Sequence, residues 1–329
     1  MLDKIKSVML GHAIGDALGV PVEFCSREEL EENSITDMHG FGTYPYPEGS
    51  WSDDTSMSLC TLESLTKGKI DYDDIMTNFG KWYYEDEFTP TGEMFDVGNT
   101  CSYAIENYFK VKKPINLCGL TNEHSNGNGS LMRIHPIALY LYTRDDLSID
   151  EKIEIIHFTS ALTHAHERAK IGCGIYSFVL WEILDKKDKF RAIRGGLSKS
   201  RRFYRGKSEE LIHYDMLFRR IGQISRHFED VDTFRPAGID EIKSGGYVVH
   251  TLEAAIFILL HSQSYVDCVL KAVNLGDDTD TVGAVAGGLA GALYGYDSIP
   301  RKWLDVLKRK DYIEDMCKRA AEVWGIAKR

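Results

Sequence analysis

Two short segments of this 329-residue chain concentrate oxygen ligands. Ser52-Asp53-Asp54-Thr55 lies towards one end and Asp277-Asp278-Thr279-Asp280-Thr281 towards the other, and each runs directly into helical sequence. Carboxylate and hydroxyl oxygens, with no cysteine and no suitably spaced histidine among them, suit hard cations such as Mg²⁺, Mn²⁺ or Ca²⁺ and not zinc. Either segment alone also reads as an ordinary helix cap. Ser, Thr and Asp side chains accept hydrogen bonds from a first helical turn, and the macrodipole favours negative charge there. The pair goes beyond capping, because converging aspartates would repel one another unless cations lay between them.

Other acids stand where a chain break could aim them. Asp16 and Glu23 flank a Gly-Val-Pro break, so Asp16 closes the first helix and Glu23 hangs from the loop that follows. Asp16 is expected to orient ligands or water from behind, with a plain solvated acid as the alternative. Asp96 precedes a helix expected over 99–109. It is either a cap or a carboxylate that can pair with a guanidinium in bidentate fashion and move a proton.

These groups need a frame, and the frame is helical. Apolar residues recur at helical spacing through Leu2, Ile5, Met9 and Ala13, through Leu59, Leu62 and Leu65, and through Ile75, Phe79 and Trp82. Stretches 153–158, 174–184 and 252–260 read as buried helices, and Trp303 opens the last helical region. No alternating strand of more than about four residues stands out, so the expected fold class is all-α, in one compact domain over 1–329. Loops rich in Gly, Pro and Asn interrupt it at 38–52, 122–130 and 235–246. Glycines recur every four residues at Gly11, Gly15 and Gly19, and again at Gly283, Gly287, Gly291 and Gly295. Each costs about 1 kcal/mol in a helix interior relative to alanine, so the stripes either loosen their helices or let helices from opposite ends of the chain approach closely.

Composition narrows the partners. Lys and Arg number 39 against 50 Asp and Glu, a net charge of −11, which makes the whole surface a poor counter-ion for nucleic acid or an anionic membrane. The basic run between Lys186 and Lys207 is expected to be a solvated insertion. Cys25, Cys60, Cys101, Cys118, Cys173, Cys268 and Cys317 are odd in number and never spaced as CxxC, the pattern of reduced thiols and not of a zinc framework. With no convincing signal peptide and no apolar run long enough to span a bilayer, a cytoplasmic protein is expected.

Six motifs in order carry a family resemblance. GHAIGDALGVPVEF (11–24), WSDDTSM (51–57), FDVGNT (95–100), SNGNGSLMRIHPIAL (125–139), LTHAH (162–166) and LGDDTDTVGAVAGGLAGALYG (275–295) are similar to the motif set of the ADP-ribosylglycohydrolases. That family includes the dinitrogenase reductase-activating glycohydrolases, the ADP-ribosylarginine hydrolases and the crystallin J1 proteins. The resemblance implies an all-α orthogonal bundle with a binuclear Mg²⁺ or Mn²⁺ cleft. It implies Ser52, Asp53, Asp54, Asp278, Asp280 and Thr281 as metal ligands, with Ser52 in place of the usual threonine and Asp277 in place of a usual glycine. Catalytic groups would be Glu23, facing metals and scissile ribose, and Asp96, which marks arginine-directed members, with Asp16 behind them.

ADP-ribose would lie along Asn99, Ser125, Gly127, Asn128, Gly129, Ser130 and Met132. The backbone N–H groups of 127–130 can cradle its diphosphate, and the next helix is expected to begin at Met132 and Arg133. His164 would stand at the distal ribose or be structural. Gly245, Gly246 and Tyr247 would border the adenosine, or Tyr247 would be a core aromatic. The implied activity is removal of mono-ADP-ribose from modified protein side chains, arginine foremost. A serine, nucleobase or small-metabolite linkage, a diphosphate hydrolase and a non-catalytic crystallin-like protein are the alternatives.

Overall fold

The computed structural model describes residues 1–185, 188–205, 207 and 239–326. Among them are α1 (Leu2–Gly19), α2 (Arg27–Glu32), α3 (Asp53–Leu65), α4 (Tyr72–Glu85), α5 (Asn99–Phe109), α6 (His135–Tyr142) and α7 (Ile149–Ala161). There follow α8 (Glu167–Leu184), α9 (Lys189–Arg205), α10 (Val248–Leu260), α11 (Tyr265–Val273), α12 (Thr279–Tyr294), α13 (Arg301–Val306) and α14 (Lys310–Ile326). Extended pairing among the described residues amounts to two isolated bridges, Leu120 with His164 and Gly127 with Tyr247. The all-α expectation is met.

The centre of the bundle is an antiparallel pair, α1 and α12, and the glycine stripes are its contact surface. A Cβ on Gly11 would stand 2.6 Å from the Gly287 carbonyl oxygen, one on Gly15 2.1 Å from that of Gly283, and one on Gly291 2.0 Å from that of Ser7. Such distances exclude any side chain, so the helical propensity lost at these glycines is offset by backbone packing that alanine could not reach. Gly295 stands apart. It ends α12 at φ +85 with open space around it. From Ser7 to Gly19 every residue of α1 is buried, and α3 and α10 are each buried but for one residue. Helices α3, α8, α10 and α11 pack around the α1–α12 pair. The antiparallel course brings the C-terminal end of α1 against the first turn of α12, where Thr279 Oγ1 donates to the Gly19 carbonyl at 2.8 Å.

Two expectations change. The basic run, apart from Lys186 and Lys187, which lie outside the described residues, is not solvated all round. It forms helix α9, whose Ala192, Ile193, Leu197 and Tyr204 are buried. Gly196 presses on Val179 of α8, and Arg191, Arg194, Lys199, Arg202 and Arg205 are on the exposed side. The helix after the 122–130 loop begins at His135, with Pro136 in its first turn, and not at Met132. The side chain of Arg133 goes inward. It is wholly buried over the Phe79 ring and donates to Thr163 Oγ1 at 2.7 Å and to the Thr159 carbonyl at 3.3 Å.

Candidate metal centre

Three helix ends meet above the glycine seam. They are the last turn of α1 with the Glu23 loop, the N-terminus of α3 and the N-terminus of α12. Ser52 caps α3 and Asp278 occupies the cap position of α12, so both acidic segments lie where backbone N–H groups and the macrodipoles favour negative charge. Capping and convergence therefore hold together, and the two interpretations of these segments do not compete.

Asp16 joins α1 to α3. Its Oδ1 accepts from the Ser52 N–H at 2.9 Å, and its Oδ2 accepts from the Thr55 N–H at 3.0 Å and the Thr55 hydroxyl at 2.6 Å. One of its oxygens lies within 4.8 Å of ligand atoms of Asp54 and Asp280. The three hydrogen bonds nevertheless mark it as the group that sets the first turn of α3. Burial pushes its carboxyl up to about 7, opposed by those hydrogen bonds.

The other acids are arranged around open oxygens. Glu23, Asp278 and Asp280 form a second trio within 4.8 Å, so Asp280 belongs to both. Asp54 Oδ1, Asp280 Oδ2 and Glu23 Oε2 are buried and have no hydrogen-bond partner among the described residues. The remaining oxygens are held. Ser52 Oγ and Thr281 Oγ1 donate to Asp54 Oδ2 at 3.1 and 3.2 Å, the Thr281 N–H donates to Asp280 Oδ1 at 2.8 Å, and Asn128 Nδ2 donates to Asp278 Oδ2 at 2.8 Å. Burial, then mutual repulsion, drives the carboxyls of Asp54 and Asp280 well above the ordinary range. Buried, unpartnered carboxylate oxygens in an all-oxygen set are the environment of a hard cation, and the residues fit one. Asp53 is buried beside Asp96 and Asp54 but outside both trios. Asp277 sits at φ +61 with an exposed side chain turned towards Ser244, away from the centre.

Glu23 and Asp96 face each other across the mouth. Burial and then the charge of Asp96 push Glu23 up to about 8, while burial and then Asp278 push Asp96 up to about 6. The Tyr44 hydroxyl interacts with both and holds each down in part. Tyr44 was not legible as a site residue. It lies in the Gly/Pro loop 38–52 without periodic signal, and only the fold sets its ring 5.1 Å from Phe95.

The binding loops form a second wall. The bridge between Gly127 and Tyr247, the Asn128 N–H to the Gly246 carbonyl at 3.0 Å, and Val248 N–H to the Asn126 carbonyl at 3.0 Å fasten 125–130 to 245–248. Asn128 links this wall to the acids through Asp278, and an added Cβ on Gly246 would lie 3.0 Å from the same carboxylate. Gly245 faces open space, and Tyr247 is half-buried with the Arg168 guanidinium 5.9 Å from its ring. Ser125, Ser130, Met132 and His164 are buried beneath the wall, and Asn99 is exposed at the start of α5. His164 supports the loop from below. Its ring lies 2.9 Å from where a Cβ on Gly129 would stand, its Nδ1 pairs with Thr163 Oγ1 at 2.8 Å, and burial lowers it to about 3.

Residues 1–328 match the family model of the ADP-ribosylglycohydrolases. The ADP-ribosylarginine hydrolase Tri1 of Serratia proteamaculans is 33% identical over 97% of this chain and 79% of its own length. The ADP-ribosyl-[dinitrogen reductase] glycohydrolase of Rhodospirillum rubrum is 30% identical over 94% of this chain and 91% of its own. A solved structure of an ADP-ribosylglycohydrolase-related protein complex superposes with a TM-score of 0.78 at 29% identity, covering 98% of both chains.

Proposed function

The chain belongs to the ADP-ribosylglycohydrolase family, and on that premise we propose that it removes mono-ADP-ribose from arginine side chains of modified proteins with the help of two Mg²⁺ or Mn²⁺ ions. The observation that carries the arginine assignment is the Asp96 carboxylate facing Glu23 at the mouth of the acid cluster. A guanidinium is planar and permanently charged, and a partly buried carboxylate is its natural counterpart.

The ions would be held by Ser52, Asp53, Asp54, Asp278, Asp280 and Thr281. When bound, they supply Lewis acidity towards the ribose hydroxyls and a water. Asp16 keeps the first turn of α3 in register, and Asn128 fixes Asp278, so the donor set is assembled before substrate arrives. The backbone N–H groups of Gly127, Gly129 and Ser130 receive the diphosphate, while that of Asn128 holds the loop to Gly246, with Asn99, Ser125, Met132 and His164 bordering or supporting that side. Gly245, Gly246 and Tyr247 border the adenosine. Glu23 and Asp96 move the proton. As the bond from the anomeric carbon to the guanidine nitrogen breaks and water adds to the carbon, one of them delivers a proton to the leaving nitrogen and the other takes the proton that the water gives up. The products are ADP-ribose and unmodified arginine. All seven cysteines are unpaired, and no described helix is long and apolar enough to cross a membrane. Reduced thiols suit a reducing compartment, so the proposed site of action is the cytoplasm, and the proposed catalytic unit is one domain over 1–329, of which the family model covers 1–328.

The test is release of ADP-ribose by the purified, Mg²⁺-loaded chain from proteins modified on arginine, serine or glutamate and from modified nucleic acid. Arginine should be preferred by more than about 100-fold, because the partly buried Asp96 carboxylate is left without its cation by any neutral acceptor. Asp96→Asn should erode that preference while metal binding persists. Equal release from serine overturns the arginine assignment, and no release from any ADP-ribosyl substrate overturns the whole proposal.

A further inference from the structure

Two phenylalanines at the mouth stand in water on backbone that resists them. Phe24 and Phe41 are 69% and 73% exposed, and their φ angles are +66 and +59. A scattered exposed Phe is ordinary. A bulky aromatic in the left-handed region is a rare and costly conformation, kept only where the surroundings enforce it.

Here they do. The Phe24 N–H donates to the Asp277 carbonyl at 2.7 Å, pinning Phe24 between Glu23 and the second acidic segment. The Phe41 N–H donates to the Tyr46 carbonyl at 2.8 Å. Its loop is clamped on 21–23 by the Thr43 N–H to the Pro21 carbonyl at 2.8 Å and the Thr43 hydroxyl to the Glu23 carbonyl at 2.7 Å. Behind it, Phe95 stacks on Tyr46 at 4.2 Å and meets Tyr44 at 5.1 Å, which ties the same loop to the segment carrying Asp96. The segment that carries both phenylalanines is also anionic, and Lys302, which reaches it from α13, is paired with Asp37. Arg27 is the sole Lys or Arg within 23–48, and its guanidinium is spent on the carbonyls of Leu275, Ile239 and Ile242, while Glu28, Glu31, Glu32 and Glu48 are exposed.

We propose that Phe24 and Phe41 form a docking rim for the polypeptide around the modified side chain, a cationic segment whose Arg or Lys neighbours lie on the aromatic faces and against the flanking acids. Cation–π and apolar contact favour such a segment, and the rim is continuous with the pocket that takes the modified residue itself. The inference rests on the activity proposed above and adds to it that a protein surface, and not only the ADP-ribosyl group, is recognised.

The experiment compares one protein substrate, mono-ADP-ribosylated on an arginine within a basic segment, with free ADP-ribosylarginine. The doubly substituted Phe24→Ala/Phe41→Ala enzyme should lose about tenfold or more in kcat/KM on the protein, through KM, the scale of losing aromatic anchors at an interface. It should stay within about twofold of wild type on the free compound, which also reports that it is folded. Phe24→Tyr/Phe41→Tyr, which keeps both rings, should retain the protein activity. Equal loss on both substrates, no loss on either, or a change of oligomeric state accompanying the loss overturns the docking rim. Failure of the wild-type enzyme on both substrates defeats the arginine proposal instead, so the two are separable.

Discussion

Helices α1 and α12 carry two surfaces within one helix length of each other, built on opposite rules. Along the seam backbones touch, and no side chain could be added at Gly11, Gly15 or Gly283 without collision. At the mouth, one turn beyond Gly19, carboxylate oxygens of Glu23, Asp54 and Asp280 are buried with no hydrogen-bond partner among the described residues. The seam is optimised for the protein alone, and the mouth for something that is not the protein. The first therefore holds the second in a geometry that the acids, left to themselves, would abandon.

The comparison breaks most severely at the seam. Gly15→Leu places a side chain where even a Cβ lies 2.1 Å from the Gly283 carbonyl oxygen. The expected cost exceeds about 4 kcal/mol, read as loss of soluble, cooperatively unfolding protein in urea titrations. A Gly15→Leu enzyme with a wild-type urea midpoint would mean that the helices can part freely.

At the mouth the sign should reverse. Asp280→Asn removes one of the buried, mutually repelling charges and touches both acid trios. Metal-free Asp280→Asn protein should melt at or above the metal-free wild type. The rise in Tm that Mg²⁺ or Mn²⁺ gives the wild type should vanish, and turnover should fall at least about 100-fold, the upper scale for disturbing a metal's outer partners. Isothermal titration with Mn²⁺ and differential scanning calorimetry read both.

Acidity separates the two regions by direction. In metal-free protein Glu23 and Asp16 titrate near about 8 and about 7, above their ordinary 4.5 and 3.8. The folded state then takes up protons that the unfolded chain does not, so its stability rises as pH falls from about 8 towards about 6.5. His12 on α1 and His164 under the binding loop are held neutral by burial, at about 4 and about 3 against an ordinary 6.5. For them the unfolded chain takes the proton first, so stability is lost as pH falls below about 6.5. Urea midpoints of chelated protein should climb between about pH 8 and 6.5. Metal-loaded protein should show no such climb and should only decline below about 6.5.

The smallest effect is expected at Asp277, which lies beside the mouth and takes no part in it. Asp277→Gly relieves a left-handed residue whose side chain is exposed. It should stabilise by roughly 0.5–1 kcal/mol and leave turnover within about twofold. A large loss of Mn²⁺ affinity in Asp277→Gly would bring this carboxylate into the centre.

Much of this was legible in the sequence for a local reason. Caps, helical periodicity and the glycine repeat are encoded within a few residues, so α5 over 99–109, the helix starts at Ser52 and Asp278, and the paired stripes could be read directly. What a side chain does depended on partners far away in the chain. That Asp16 would bind the first turn of α3, that Arg133 would turn inward instead of opening a helix, and that Tyr44 would meet Glu23 and Asp96 are all contacts no local pattern specifies. The basic run misled because charge on one face hid the buried face of α9, whose apolar residues are few.

The seam also imposes an order in time. Ser7 to Gly19 leave the ribosome about 270 positions ahead of Thr279 to Gly291. At about 5–20 residues per second the first helix waits on the order of tens of seconds for its partner. Until α12 emerges, the glycine face of α1 lacks the partner that fits it. The acid centre cannot exist in any fragment that stops short of α12, so a stalled or truncated translation product is an unassembled half-site and never a partly active hydrolase.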